Sequence, residues 1–406
     1  MKWIHGGVTA PKGFSAAAYA AGIKKKKLDV ALLVSDCNAS IAGAFTTNLV
    51  KAAPVVWDQH IVEQHIQAKA IVVNSGNANA CTGKQGELDT ESMATTVAKA
   101  IGCAADEVLV CSTGVIGVPL PMSKIHNGIT ECAAALGSDS VHAEQAALAI
   151  CTTDTFVKQA SVEFEIDGIP VRIGGMAKGS GMIHPNMATM LAFITTDAAI
   201  DQTLLQTMLG NSVKESYNMI SVDGDTSTND TVLVMANGCS ESPRIVEGSR
   251  EAEIFHTAFT AVHTELAKLI VKDGEGAGKF IQVDVIGAPD DDSARLLARS
   301  VISSNLVKAA FFGADANWGR ILCAMGYSGG TFDPGAVTVG YTSPAGSITV
   351  LQDGLPLPFD ETLAKLILQE KEITVTAKVG NDTGKATAWG CDLTYEYVRI
   401  NGDYRS

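Results

Sequence analysis

Apolar runs that lead into glycine- or asparagine-rich loops recur along the first part of the chain. They are short, rich in β-branched residues and bounded by loop residues, as buried strands are. Strands are predicted over 70–80, 107–117 and 190–197, and after a polar loop within 221–238. Residues 162–175 alternate polar and apolar positions around Asp167-Gly168, which predicts a β-hairpin.

Segments of helical periodicity separate these runs. Helices are predicted over 91–102, 140–154, 203–220, 251–276, 291–310 and 361–371. The clearest helix, 251–276, carries an apolar stripe at helical spacing made of Phe255, Phe259, Val262, Leu266 and Leu269. Because no strict βαβ period appears, the pattern favours α+β layers over a doubly wound parallel sheet.

The pattern changes after Phe280. Strand 281–287, the helix over 291–310, several short strands and the helix over 361–371 predict a compact α+β lobe. We therefore place a soft domain boundary near residue 280. The predicted units are a layered domain over 1–280 and a smaller lobe over 281–406.

Composition and charge narrow the function. Hydrophobic residues make up 46% of the 406 positions and charged residues 18%, enough for a sizeable core. The formal net charge of −14 argues against nucleic acid and anionic membranes as partners. The N-terminus lacks the apolar region of a secretory signal, and no apolar run has the length of a membrane span. A cytoplasmic location is expected.

The chain shows no cofactor or metal signature. Its nine cysteines have no CxxC spacing and its eight histidines no HxxxH spacing, so we expect mostly buried free thiols and neither disulfides nor a metal site. The loop over 273–280 lacks the spacing and hydroxyl of a phosphate loop, and GxGxxG and GxSxG are absent. No cofactor is expected.

Four polar or glycine-rich loops follow or precede predicted strands. They cover 74–83, 112–117, 174–181 and 223–231. One such loop is more often a turn that needs positive φ. Four together favour an active site whose backbone N–H groups face an anion or oxyanion.

Thr189 stands between one of these loops and a buried strand, directly after the small Ala188. From the residues alone, an ordinary strand-start threonine is the more common interpretation. The alternative is a self-activating nucleophile whose Oγ attacks the Ala188 carbonyl to form an ester that is then hydrolysed. The freed α-amine, with a pKa of roughly 7.7–8.0, would suit a general base.

Eight motifs, kept in one order along the chain, resemble the ornithine acetyltransferase family, the glutamate N-acetyltransferases of cyclic arginine biosynthesis. They are "NSGNANACTG", "STGVIG", "TTDTF", "MAKGSGMIHPNMATMLAF", "VDGDTSTNDT", "DGEG", "NWGRI" and "INGDYRS". The resemblance implies an αββα layering like that of N-terminal nucleophile hydrolases, with different topology, and a C-terminal lobe. It also implies that the extreme C-terminus returns to the active site.

The resemblance implies cleavage between Ala188 and Thr189 into an α chain (1–188) and a β chain (189–406) that stay together. Thr189 would take acetyl from N-acetylornithine, release ornithine and pass acetyl to glutamate. Thr113 and Gly114 would form the oxyanion hole. The implied assembly is a dimer of αβ heterodimers, and acetyl-CoA is left open as an additional acetyl donor.

The substrate contacts implied by the resemblance are Thr153, Lys178, Thr189, Glu275, Asn401 and Ser406. Lys178 would hold a carboxylate and Glu275 the ammonium group of ornithine. The chain departs from the family pattern at Val157, Gly278, Ala316 and Ser406. None of these changes removes a proposed catalytic group.

Two other functions stay open at this point. The first is a threonine-nucleophile amidohydrolase or aminopeptidase that uses Thr189 but gives the acyl group to water. The second is a non-catalytic protein whose loops hold a small anion, which predicts an intact chain. Cleavage separates the second from the enzymes, and glutamate-dependent acetyl turnover separates the two enzymes.

Overall fold

The computed structural model describes residues 1–184 and 190–403. The strands in these ranges are β1 (Lys2–Trp3), β2 (Phe14–Tyr19), β3 (Val30–Phe45), β4 (Ala68–Asn77), β5 (Val108–Val115), β6 (Lys158–Ile166), β7 (Ile169–Lys178), β8 (Leu191–Thr196), β9 (Ile220–Ser221), β10 (Thr231–Ala236), β11 (Phe280–Ala288), β12 (Thr338–Ser343), β13 (Gly346–Gln352), β14 (Leu355–Pro356), β15 (Glu372–Lys378) and β16 (Gly384–Cys391). The helices there are α1 (Ala53–Glu63), α2 (Gly83–Ile101), α3 (Met122–Ala134), α4 (Ser140–Ile150), α5 (Gln202–Glu215), α6 (Arg250–Lys272), α7 (Asp291–Ser303), α8 (Asn305–Phe312), α9 (Trp318–Gly326), α10 (Glu361–Gln369) and α11 (Tyr395–Asp403).

The first sheet folds over on itself at β3. Its order is β1-β6-β7-β8-β10-β3-β4-β5, and β2 also pairs with β3. The first part of β3 pairs with β2 and β4, its last six residues pair with β10, and the register shifts between Val34 and Ala39. Four strands separate β7 from β5, which would put them about 24 Å apart in a flat sheet. Lys178 of β7 nevertheless lies 3.5 Å from Thr113 of β5, so the two halves face each other.

Side chains that alternate along the strands build three apolar layers. In β8, Leu191 and Phe193 pack between the two halves of the sheet, whereas Ala192 and Ile194 pack on the side of α5 and α6. The outer face of the other half packs on α2 and α3. The order of layers is therefore helix, sheet, sheet, helix, and the predicted αββα class is confirmed. β8 is buried along its whole length, as its sequence predicts.

The hairpin and the long helix agree with their sequence patterns. β6 and β7 pair from Lys158–Ala177 to Ile166–Ile169, and both turn residues have positive φ, 49° at Asp167 and 76° at Gly168. α6 buries Phe255, Phe259, Val262 and Leu266, while Leu269 of the predicted stripe is only partly buried. Each such side chain contributes about 1.5–3 kcal/mol when buried.

A second sheet forms the C-terminal lobe. Its order is β14-β13-β12-β15-β11-β16-β9, so it contains the short β9 from before residue 280. The single helix predicted over 291–310 is wrong: α7 and α8 are separate, because Ser304 is extended and its hydroxyl accepts the Val307 N–H that caps α8. The domain boundary near residue 280 stays a prediction.

All nine cysteines are free thiols. The expectation that most are buried is wrong, since only Cys111, Cys132, Cys151 and Cys391 are. No helix in the described ranges is long and apolar enough to cross a membrane.

Candidate active site

One pocket collects residues from all four loops singled out in the sequence. Its lining includes Ala78, Thr113, Gly114, Ile116, Thr152, Thr153, Lys178, Gly181, Met182, Met190, Leu191, Ser227, Thr228, Asn229, Asp230, Glu275 and Asn401. Six candidate residues are therefore brought together: Thr113, Gly114, Thr153, Lys178, Glu275 and Asn401. The other three, Ala188, Thr189 and Ser406, lie outside the described residues. Met190, the next residue after Thr189, lines the pocket.

The ends of β4 and β5 form one wall. Gly114 has φ of 134° and pairs with Gly76 so closely that a Cβ on Gly114 would lie 2.3 Å from the Gly76 carbonyl carbon. Only glycine fits there without a backbone shift. Asn229, from the loop before β10, donates to the Ser112 carbonyl at 2.8 Å and so ties this wall to the opposite half of the sheet.

Lys178 enters from the last position of β7. Its Nζ lies 3.5 Å from the Thr113 hydroxyl, and its side chain is half-buried. Thr153 lies in the pocket lining because α4 ends at Ile150, four residues before the predicted helix end. The residues after this helix end then line the pocket instead of continuing the helix.

A buried ion cluster, made of Asp154, Lys158 and Asp273, lies behind Thr153 and Lys178. The Lys158 ammonium lies 2.6 Å from Asp154 and 2.5 Å from Asp273, and all three side chains are at most 1% exposed. Asp154 also accepts the Gly179 N–H at 2.8 Å. Burial opposes ionisation of Asp154, but the charges of Lys178 and Lys158 outweigh it and lower the pKa of Asp154 to about 2.

Glu275 also lines the pocket. Its N–H donates to the Ser180 carbonyl at 2.8 Å, and the Ser180 hydroxyl lies 2.6 Å from that of Thr153. The Asn401 amide donates to Glu275 Oε2 at 2.8 Å. A Cβ on Gly181 would lie 2.3 Å from the same oxygen, so a glycine at 181 leaves the space that the carboxylate fills.

Asp223 holds the backbone just before the undescribed segment 185–189. Its carboxylate accepts the N–H groups of Met182 at 2.6 Å and Ile183 at 2.8 Å. Tyr397 of α11 also donates to Asp223, at 3.2 Å, and burial together with this carboxylate raises the tyrosine pKa. Asp223 therefore fixes the backbone at Met182 and Ile183.

His184 lies in a loop, two residues after the pocket-lining Met182. Its Nδ1 lies 3.1 Å from the Ser221 hydroxyl and its Nε2 lies 3.3 Å from Arg299. Burial and the Arg299 charge lower the pKa of His184, so the imidazole is neutral near pH 7. The contacts are those of a packed loop side chain.

Three departures from the family pattern have contacts. Ala316 packs, partly buried, on the main apolar core. Val157 packs on the apolar layer between the sheet halves. The Gly278 N–H donates to Asp392 at 2.8 Å, and a Cβ there would lie 3.1 Å from the same carboxylate.

Sequence reasoning missed the buried ion cluster and the carboxylate of Asp223. The motifs that contain Asp154 and Asp223 were noted, but their partners are distant in sequence. Lys158 and Asp273, for example, are 115 residues apart. Only the spacing of Asp154 and Lys158, four residues apart, offered a local signal.

The fold and the pocket define a layered αββα protein that brings a cation, a carboxylate and hydroxyl groups around one small cavity. The chain belongs to the ArgJ family, which it matches over residues 15–406. The resemblance found in the sequence is thereby confirmed.

Several relatives are similar over their whole length. The arginine biosynthesis bifunctional protein ArgJ of Symbiobacterium thermophilum is 54% identical, and that of Caldanaerobacter subterraneus subsp. tengcongensis is 51% identical, each with 100% of both chains covered. A crystal structure of the protein of that name from Bacillus halodurans is 44% identical, with a TM-score of 0.51, over 53% of this chain and 100% of that chain.

Proposed function

We propose that this chain is a glutamate N-acetyltransferase of arginine biosynthesis that moves acetyl from N-acetylornithine to glutamate through Thr189. The observation that carries the proposal is the pocket itself. It places Lys178 and Glu275, of opposite charge, in the lining that also contains Met190, the neighbour of Thr189. The curated relatives over the full length are named for arginine biosynthesis.

Thr189 would first be freed by cleavage. Its Oγ attacks the Ala188 carbonyl carbon, the peptide C–N bond breaks as an ester forms, and water hydrolyses the ester to leave a free α-amine on Thr189. The Asp223 contacts support this step, because they hold the backbone just upstream. The crystallised Bacillus halodurans chain is also consistent with cleavage. Its full length matches 53% of this chain, which is close to the fraction of this chain that follows residue 188.

Acetyl transfer would then follow two half-reactions. Thr189 Oγ attacks the acetyl carbonyl of N-acetylornithine while the α-amine takes its proton, and the C–N bond breaks as ornithine leaves with that proton. The α-amine of glutamate next attacks the acetyl ester and regenerates Thr189. Thr113 and Gly114 would stabilise the oxyanion of both tetrahedral intermediates, an effect of roughly 3–4 kcal/mol for one donor in other enzymes.

Lys178 and Glu275 would recognise the substrates by charge. Lys178 would bind the α-carboxylate that both substrates share. Glu275 would bind the side-chain ammonium of N-acetylornithine. When glutamate occupies the site, the Asn401 amide, now donating to Glu275, could donate to the substrate side-chain carboxylate instead.

The two fragments would remain associated after cleavage. β8 and β10, from the fragment after residue 188, lie between β7 and β3, which belong to the fragment before it. Each fragment therefore completes the sheet of the other. Assembly of two αβ pairs, a cytoplasmic location and use of acetyl-CoA as a second donor belong to the proposal, with no cofactor required.

Intact mass under denaturing conditions tests the cleavage. The parent should give two fragments that meet at Ala188 and Thr189, and Thr189→Ala should give one chain of 42.3 kDa. The control is Thr195→Ala, in the strand β8 that follows Thr189. This variant should still be cleaved. A parent chain that is folded but stays intact would contradict the role of Thr189 as a nucleophile. Cleavage without glutamate-dependent acetyl turnover would favour an amidohydrolase.

A further inference from the structure

Two thiols lie in contact at the end of the sandwich away from the pocket. The sulfur of Cys37 lies 3.7 Å from that of Cys239, although 202 residues separate them in sequence. Both side chains are half-buried. Cys37 belongs to β3 and Cys239 follows β10, the strand paired with β3.

Local hydrogen bonds fix this contact. Asn237, between β10 and Cys239, accepts the Cys37 S–H on its carbonyl at 3.3 Å and the Cys239 N–H on its side chain at 3.0 Å. Its amide also donates to the Gly13 carbonyl at 3.2 Å. A Cβ on Gly13 would lie 2.7 Å from the Cys239 sulfur, so β2 approaches the thiols closely.

We propose that Cys37 and Cys239 are a redox modification site that closes to a disulfide when the protein meets a low-molecular-weight disulfide or a diazene oxidant. With a disulfide RSSR, one thiolate attacks to form a mixed disulfide and releases one RSH, and the second thiolate then displaces the other RSH. With a diazene, one thiolate adds to the N=N bond and the second displaces the nitrogen, so the diazene takes up two electrons and two protons and leaves as a hydrazine. In both cases each cysteine loses one hydrogen. A disulfide requires about 2.05 Å between the sulfurs. Contacting thiols can reach that distance through small side-chain movements.

The disulfide would link the parts of the chain before and after residue 188. Cys37 precedes residue 188 and Cys239 follows it, so on the proposed cleavage the disulfide would join the two fragments covalently. This consequence depends on the proposed function, whereas closure of the disulfide does not. The pocket residues lie elsewhere, so transfer activity should be retained in the oxidised protein.

The site should react slowly at neutral pH. Burial and the contact with Cys37 raise the pKa of Cys239 to about 11, which keeps that thiol protonated. Because thiolates are the reacting species, mildly alkaline conditions should speed closure. The exposed Cys81 and Cys323 would react separately from this pair.

The experiment treats the full-length protein with diamide, alkylates the remaining thiols and maps peptides by mass. We expect a peptide pair joined through Cys37 and Cys239, two hydrogens lighter than its parts. On a non-reducing denaturing gel, the fragments should run as one band that dithiothreitol separates. Cys37→Ser should abolish the linked band, and the half-buried Cys103→Ser should retain it.

Three outcomes would overturn the proposal. They are recovery of both peptides in alkylated form after oxidation, a linked band that persists in Cys37→Ser, and pairing of either thiol with Cys81 or Cys323. Peptide mapping reports the disulfide in an uncleaved chain as well. A linked peptide pair in one unbroken chain would therefore support the thiol site and contradict the cleavage.

Discussion

At the residue scale, Gly114 is the most constrained position of the pocket wall. Gly114→Ala would place a Cβ 2.3 Å from a backbone carbon in β4, at a φ that L side chains rarely adopt. We expect acetyl transfer to fall by about 10²–10³-fold because the oxyanion donors move. Gly117→Ala also has positive φ but open space, and should lose much less activity. Equal losses in steady-state kinetics of the two variants would contradict this role.

Glu275 should distinguish the two substrates. Glu275→Gln keeps the shape and an oxygen that can accept from Asn401 but removes the charge. A hydrogen bond to a charged group is worth about 1.5–3 kcal/mol, so the KM for N-acetylornithine should rise about tenfold or more, and the KM for glutamate much less. Steady-state kinetics with each substrate varied measure both values, and equal changes would contradict the assignment.

Asp154 should make the fold sensitive to acid. Its pKa is depressed from 3.8 to about 2 in the folded protein, so its stabilising effect is present above about pH 4 and lost as the pH falls towards 2. The loss is about 2 kcal/mol at ~1.4 kcal/mol for each pKa unit. Urea unfolding of Asp154→Asn should show a weaker pH dependence in this window. Asp167→Asn, in the exposed hairpin turn, should follow the parent, and an unchanged slope for Asp154→Asn would contradict the argument.

At the element scale, α11 matters for the pocket more than for the core. Every side chain in this helix is at least partly exposed, yet Tyr397 and Asn401 contact Asp223 and Glu275. Removing 395–406 should leave the urea midpoint nearly unchanged and lower acetyl transfer by about tenfold or more. Arg399→Ala, which removes an exposed pair within the helix, should keep activity. Full activity of the truncated chain would contradict this role for α11.

The sequence predicts those strands, turns and helices that depend on residues close together in the chain. The turn at Asp167-Gly168, the buried β8 and the stripe of α6 are fixed by residues close in sequence. The fold-over at β3 was not predictable, because it depends on the pairing of distant strands. The same holds for the Lys178–Thr113 contact and the buried ion cluster. The prediction merged α8 with α7 because the cap at Ser304 lies within a continuous helical pattern, and it omitted α11 because the apolar positions of this helix remain largely exposed.

At the scale of the whole molecule, the order of strands would keep the two fragments together after the proposed cleavage. The proposed cleavage point precedes β8, which lies in the middle of the first sheet. Separation of the fragments would expose the edge of β8 that pairs with β7, the edge of β10 that pairs with β3, and much of two apolar layers. The candidate residues outside the described ranges, Ala188, Thr189 and Ser406, keep the roles predicted for them until variants test them.

The most direct test of the central claim follows a labelled acetyl group. Purified protein is given N-acetylornithine carrying labelled acetyl, with and without glutamate, and both the products and the protein mass are measured. We expect one acetyl group on the fragment that begins at Thr189 without glutamate, and labelled N-acetylglutamate when glutamate is added. Label that appears only in acetate, or never leaves N-acetylornithine, would contradict it.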